Sequence, residues 1–328
     1  MDATLPPRLR RGSHIRVIAP ARSRAMVLEH DHSALIERRL GDLGFTVSYG
    51  AHVDERDRYD SSPVRSRLSD LHAAFADPAV DGVLTVIGGF NSNELLPMID
   101  YDLIAAHPKV LCGYSDITAL QNALLARSGL VTYSGPHWSS FGMRELFDDT
   151  LAWFAAAVMD SAPMDLHPSG WFTDDPWFLD QDDRTRHPTP GWWDVQPGTA
   201  EGRIVGGNLC TLNLLHGTRC MPPLDGALLF VEDDELVDAV TFRRDLFSLL
   251  QLPDAAGVTG LVIGRFQRAS QITREDLTDL VAAQPALRGK PVLANADFGH
   301  TNPQITFPVG GSARLRVAHP TTLTITRH

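Results

Sequence analysis

Three side chains of the kinds that carry acyl-transfer chemistry stand at or just beyond apolar runs: Ser115, Glu232 and His300. A serine alcohol is a poor nucleophile at neutral pH. It becomes a good one when an imidazole takes its proton and a carboxylate holds that imidazole in one tautomer. Ser115 lies within Val110-Leu111-Cys112-Gly113-Tyr114-Ser115-Asp116-Ile117-Thr118-Ala119-Leu120. Residues 110–112 read as a short buried strand. From Asp116 onward Ile117, Leu120 and Leu124 recur at helical spacing, with Gly129 where a helix would end. The Gly-Tyr-Ser turn would lift the serine to the mouth of a sheet, as in a nucleophile elbow, and aim helix N-terminal N–H groups at a developing oxyanion. The same serine also suits an ordinary N-cap with Asp116 in the first turn. Ile117 stands where a complete G-x-S-x-G pattern would have its last glycine. Glu232 opens the run Glu232-Asp233-Asp234-Glu235, which fits either a solvated loop or an orienting carboxylate. His300 is one of 13 histidines, so spacing alone does not select it as the base.

The elements that must position these residues follow from pattern. Residues 15–19 read as a buried strand stopped by Pro20, followed by a helix over 24–43, a strand over 46–49 and a charged loop over 53–63. A helical stretch at 66–75 precedes a strand at 83–87 that stops at Gly88-Gly89. Strands alternating with helices imply a parallel, doubly wound sheet, whose function gathers beyond the carboxyl ends of its strands. Gly88-Gly89-Phe90-Asn91 and Gly113-Tyr114-Ser115 would then share a rim, with the Gly89 N–H as a second oxyanion donor beside that of Asp116. A tight turn alone explains Gly88-Gly89 equally well, and no Lys-Ser/Thr follows to make a phosphate loop. Glu94, Asp100 and Asp102 read as helix-face or capping carboxylates. A strand at 131–133 leads into Ser134-Gly135-Pro136-His137-Trp138, where His137 and Trp138 either line the site or pack beside it.

Residues 161–197 change character: Pro, Asp and Trp concentrate there, including Trp171, Trp177, Trp192 and Trp193. So many indoles argue against disorder, and they serve either to anchor a loop or to stack on a flat ligand. Beyond it come a helix opened by Gly206-Gly207-Asn208-Leu209, a fully apolar strand at 227–231 and a helix at 239–250 carrying Arg243 and Arg244. A buried strand at 260–264 and a strand at 291–294 lead to Asp297-Phe298-Gly299-His300-Thr301, and the tail over 313–327 alternates as one exposed or edge strand. The expected fold is α/β: an N-terminal doubly wound parallel-sheet domain of flavodoxin-like, glutamine-amidotransferase-like type over 1–165, and a smaller C-terminal α/β domain over 201–328. Residues 166–200 form the linker and Trp-rich loop between them.

Composition narrows the function classes. A net charge of −11 over 328 residues argues against nucleic acid or an anionic membrane as partner. The three cysteines, Cys112, Cys210 and Cys220, have no C-x-x-C spacing, which fits reduced thiols rather than a disulfide framework or a zinc site. No apolar run is long enough to span a bilayer and the N-terminus lacks a signal-peptide h-region, so a cytoplasmic location is expected.

Four blocks occurring in this order are together specific: residues 88–97 (Gly-Gly-Phe-Asn-Ser-Asn-Glu-Leu-Leu-Pro), residues 113–120, Gly206-Gly207-Asn208-Leu209 and Asp297-Phe298-Gly299-His300. They resemble the signature blocks of the LD-carboxypeptidase family of serine peptidases across nearly the whole chain. Phe90-Asn91, Tyr133-Ser134-Gly135-Pro136-His137 and His300-Thr301-Asn302-Pro303 resemble the microcin C immunity branch of that family. The resemblance implies a Ser115–His300–Glu232 triad, oxyanion donors at the Gly89 and Asp116 backbone, and substrate contacts from Trp192, Trp193, Asn208 and Arg244. It also implies a homodimer and a reaction that needs no metal or cofactor. The expected activity is hydrolysis of the amide bond joining an aminoacyl or peptidyl group to a nucleotide through a phosphoramidate or sulfamate. The alternative is a carboxypeptidase releasing D-Ala from murein tetrapeptide in cell-wall recycling. In a third, non-enzymatic reading, the chain only binds its ligand, and Ser115 would be dispensable.

Overall fold

The structure, a computed structural model, describes residues 3–27 and 32–328. In chain order the first part runs β1 (His14–Ile18), α1 (Arg24–Val27), α2 (Ser33–Asp42), β2 (Thr46–Tyr49), α3 (Val64–Ala76) and β3 (Gly82–Thr85). It continues with α4 (Tyr101–Ala106), β4 (Val110–Gly113), α5 (Ile117–Ser128), β5 (Thr132–Ser134) and α6 (Asp148–Met159). The middle segment contributes β6 (Met164–Leu166), β7 (Trp171–Phe172), β8 (His187–Pro188) and β9 (Trp193–Gln196). The last part holds β10 (Gly198–Asn208), α7 (Leu209–Asn213), β11 (Ala227–Glu232), α8 (Ala239–Leu250), β12 (Gly260–Gly264), α9 (Arg274–Ala283) and β13 (Val292–Ala296). It closes with β14 (Phe307–Val309), β15 (Ser312–Val317) and β16 (Thr322–Arg327).

Two sheets organise the molecule. The first has the order β14-β5-β4-β3-β1-β2, and β1 to β5 are all parallel. The second has the order β6-β16-β15-β10-β11-β12-β13-β9, with a parallel centre from β10 to β13 and antiparallel flanks. The parallel strands read as continuous apolar runs because both faces are covered: Leu228, Phe230, Val262 and Leu293 are fully buried.

The chain crosses between the sheets more than a simple two-part division suggests. β14 adds antiparallel to β5 of the first sheet, although it follows His300 in sequence. β6 and β9, on either side of the Trp-rich stretch, are edge strands of the second sheet. At the seam α5 packs on the end of β10, where Asn122 Nδ2 donates to the Gly206 carbonyl and the Asn208 N–H donates to Thr118 Oγ1. Gly207 has φ +124°, and a Cβ there would lie 2.3 Å from Thr118 Oγ1, so only glycine permits this approach.

Several elements differ from the pattern. The helix expected over 24–43 is present as α1 and α2, and residues 28–31 lie outside the described residues. The tail is a hairpin rather than one strand: β15 and β16 pair antiparallel, and β15 lies inside the sheet beside β10. The 11-residue β10 covers glycines expected only to open a helix, and that helix, α7, spans Leu209–Asn213 with Asn208 as its N-cap. Among the described residues no helix is long and apolar enough to cross a membrane.

Candidate active site

Ser115 sits in the three-residue turn between β4 and α5 with φ +59°, a left-handed conformation that costs a non-glycine residue about 1–2 kcal/mol. That strain holds its side chain out over the end of the sheet. Ser115 Oγ lies 3.1 Å from His300 Nε2, and His300 Nδ1 lies 2.7 Å from Glu232 Oε2. Glu232 is the last residue of β11 and is buried, while His300 follows β13 by four residues. Three separate strand ends, one in the first sheet and two in the second, thus deliver the three groups to one line.

The electrostatics favour a basic imidazole. Burial pulls the His300 pKa down, but the Glu232 charge, its hydrogen bond, and the charges of Asp234 and Asp233 outweigh it, so the net shift is upward. Nδ1–H donating to the carboxylate leaves Nε2 free to accept from the serine hydroxyl. The neighbouring Asp233 accepts from the Cys210 and Asp234 N–H groups and from Asn208 Nδ2. Burial, then the Glu232 charge, push the Asp233 pKa up to about 7.

The loop after β3 meets the serine turn through Asp116. Its carboxylate does not cap α5; Oδ2 accepts from the Asn91 and Ser92 N–H groups at 3.1 and 2.9 Å. Ser92 Oγ returns a bond to the Asp116 carbonyl at 2.6 Å. Arg67, buried, ties the same loop by donating to the Pro20 and Asn91 carbonyls and pairing with Glu94. The result brings Gly88-Gly89 against Ser115: a Cβ on Gly88 would stand 3.0 Å from Ser115 Cβ. Among the described residues the Gly89 and Asp116 N–H groups find no acceptor in the protein. Two free donors beside an alcohol are what an oxyanion needs.

A cleft of about 780 Å³ opens above Ser115, in the size range of small-ligand sites. Its floor is Gly88, Gly89, Tyr114, Ser115, His137 and His300. Its roof is the segment 174–179, including Trp177 and Phe178, and Asp234 to Leu236 and Arg22 stand at its edges. The roof is pinned to the floor: Thr173 and Asn302 exchange N–H···O bonds of 2.8 Å, and Arg268 pairs with Asp174 and Asp175 at 2.7 and 2.8 Å. His187 and these two aspartates form the one carboxylate–imidazole group of metal-ligand spacing among the described residues, and Arg268 already occupies its carboxylates.

The four residues assigned to substrate from the sequence do not line this cleft. The Trp192 indole N–H donates to Asp297 Oδ2 at 2.8 Å, and that carboxylate also pairs with buried Arg265. Trp193 belongs to the edge strand β9. The Asn208 amide is spent within the protein, accepting from the Thr211 N–H and donating to Asp233. Arg244 is exposed on α8 beside Asp245. Two tryptophans line the cleft: Trp138, buried, and Trp177, whose only sequence signal was membership of the same Trp-rich stretch.

Comparison with known proteins gives the family and the fold. Residues 15–135 match the LD-carboxypeptidase N-terminal domain and residues 201–315 its C-terminal domain. YocD of Bacillus subtilis (strain 168), which carries a provisional carboxypeptidase name, is 45% identical over 308 residues, 94% of each chain. The microcin C7 self-immunity protein MccF of Escherichia coli is 31% identical over 284 residues, 81% of this chain and 80% of that one. An MccF-like protein from Bacillus anthracis str. Ames has a crystal structure that superposes with a TM-score of 0.97 at 45% identity, covering 99% of this chain and 100% of the other. MccF in complex with aspartyl sulfamoyl adenosine superposes with a TM-score of 0.87 at 28% identity, covering 99% of both chains.

Proposed function

The chain belongs to the LD-carboxypeptidase family of serine peptidases, and from that premise we propose that it cleaves the amide bond between an aminoacyl or peptidyl group and a nucleotide. The observation that carries the reading is the aromatic-roofed cleft directly above the Ser115–His300–Glu232 line. Ser115 Oγ attacks the acyl carbonyl while His300 Nε2 takes its proton, and Glu232 stabilises the imidazolium that forms. The oxyanion lies against the Gly89 and Asp116 N–H groups. Collapse breaks the C–N bond as His300 returns the proton to the departing nitrogen. Water, activated by the same imidazole, then hydrolyses the acyl-serine ester and frees the acid.

The walls suit such a substrate at both ends. Trp177 and Phe178 offer ring faces and edges to a nucleobase, Arg22 beside Gly89 faces an anionic linker, and Asp234 and Glu235 give the His300 side a negative charge that favours an amine. MccF, which shares this architecture, binds aspartyl sulfamoyl adenosine. The homodimer implied by the family is part of the proposal, and light scattering should give twice the mass of one chain.

The test is a product assay by mass spectrometry on wild type. Release of free amino acid and sulfamoyl adenosine from aminoacyl-sulfamoyl adenosine is the expected result. Release of D-Ala from murein tetrapeptide without adenylate turnover would move the protein to the cell-wall reaction. No turnover of either would refute the hydrolase reading.

A further inference from the structure

Half of the large hydrophobic side chains exposed among the described residues line one cleft. They are Phe90, Phe178, Leu179 and Leu236, and the barest of them is Leu236, 86% exposed. A single leucine on a surface needs no account, but exposed apolar groups gathered at the mouth of a cleft mark a place where apolar surface is buried on binding. The backbone holds Leu236 there. In the loop after β11 the Leu236 N–H donates to Asp234 Oδ1 at 2.9 Å, and the Val237 N–H and Ser270 Oγ both donate to the Asp234 carbonyl at 3.2 Å. Val237, the next residue, is buried, so the turn is anchored and its leucine still stands in the open.

The charges on the same loop narrow what this leucine meets. Asp234 and Glu235 line the cleft beside it, and the Asp234 charge is one of those that raise the His300 pKa, so it lies within electrostatic reach of the reacting centre. Arg22, beside Gly89, is the one arginine or lysine in the lining among the described residues. In the reading above the roof rings take the base, Arg22 takes the anionic linker, and Asp234 and Glu235 take the amine. The amine and the side chain of an aminoacyl group branch from the same carbon, so the wall that takes the amine borders the side chain too. To a side-chain carboxylate that wall offers two like charges and no cation. To an apolar side chain it offers Leu236.

We propose that residues 234–236 set the acyl preference of the enzyme: Leu236 packs on an apolar acyl side chain, and Asp234 and Glu235 exclude acidic ones. The preferred substrates are aminoacyl nucleotides with a leucine-like acyl residue, and those with an aspartyl or glutamyl residue are poor. The assignment rests on the hydrolase reading above and deepens it by naming the class of acyl group. Rejection by like charge adds to selection by contact, and specificity is the difference between the two.

The experiment measures kcat/KM for leucyl-, asparaginyl- and aspartyl-sulfamoyl adenosine, whose acyl side chains are of similar size and differ in polarity and charge. Wild type should prefer leucyl over asparaginyl, and asparaginyl over aspartyl, by about tenfold each. Leu236→Ser should bring the first ratio to within about threefold and leave the second as it is. Glu235→Gln should lower the second ratio by about threefold and leave the first as it is. Both residues are exposed, so the fold tolerates both substitutions, and a role in stability alone would move neither ratio. Wild type that cleaves the aspartyl compound as well as the leucyl one, or ratios untouched by either substitution, overturns this inference and leaves the hydrolase reading standing. No turnover of any of the three overturns the inference together with the nucleotide reading beneath it, and an assay for D-Ala release from murein tetrapeptide then separates a different substrate from an inert protein.

Discussion

The floor and the roof of the cleft are built on different physics. The floor is the rim of parallel strands: Ser115 after β4, Gly88-Gly89 after β3, Glu232 ending β11. Each is held by buried backbone and by side-chain bonds, such as Asp116 to Ser92 between neighbouring loops of the first sheet and Asn122 to Gly206 across the seam between sheets. The roof, residues 174–179, lies outside both sheets and is tied by the neighbouring Thr173–Asn302 exchange and by Arg268 pairs whose guanidinium is half-exposed. In the proposed reaction the floor suits chemistry, which needs positions fixed to fractions of an ångström, and the roof suits recognition, which tolerates adjustment.

Substitutions on the two sides should therefore fail differently. Glu232→Gln, on the floor, should lower kcat by about 10⁴-fold with KM little changed, because the imidazole loses its orienting carboxylate. It should also move the pH profile. The raised His300 pKa means that kcat/KM falls as pH drops through a value above the ordinary 6.5, since a protonated ring cannot take the serine proton. Removing the Glu232 charge should shift that acidic limb to lower pH; a limb that stays in place would assign the titration to another group. Gly88→Ala should cost about 10²-fold in kcat, because the new Cβ displaces Ser115 from 3.0 Å.

Trp177→Ala, in the roof, should instead raise KM for the adenylate about tenfold and spare kcat, consistent with the loss of one stacked ring. A fall in kcat with KM unchanged would erase the division between floor and roof. The smallest effect belongs to Trp192→Phe. It removes the N–H bond to Asp297 and should lower Tm by about 3 °C while leaving KM as it is, a thermal shift read beside a kinetic one.

The same contrast explains what the sequence made legible. α8 (Ala239–Leu250) and β12 (Gly260–Gly264) announce themselves by periodicity and by an apolar run bounded by glycine. Ser115 and Gly88-Gly89 could be placed because each follows such a run. β10 could not, because Gly202, Gly206 and Gly207 lower its strand propensity; pairing with β11 and β15 makes it a strand, a tertiary effect that no local window contains. The hairpin in the tail was hidden for a similar reason, its turn near Pro320 lying inside an alternating pattern. Trp177 and Trp192 are indistinguishable in composition. Only the Thr173–Asn302 bridge and the Asp297 carboxylate decide which one overhangs the cleft and which one anchors the loop.

The central claim is that Ser115 is the nucleophile of an amide hydrolysis. The direct measurement pairs turnover of aminoacyl-sulfamoyl adenosine with calorimetric binding of the same compound, in wild type and Ser115→Ala. The account predicts retained binding and turnover lowered by at least about 10⁴-fold in the variant. Turnover within tenfold of wild type in a folded Ser115→Ala protein would contradict it.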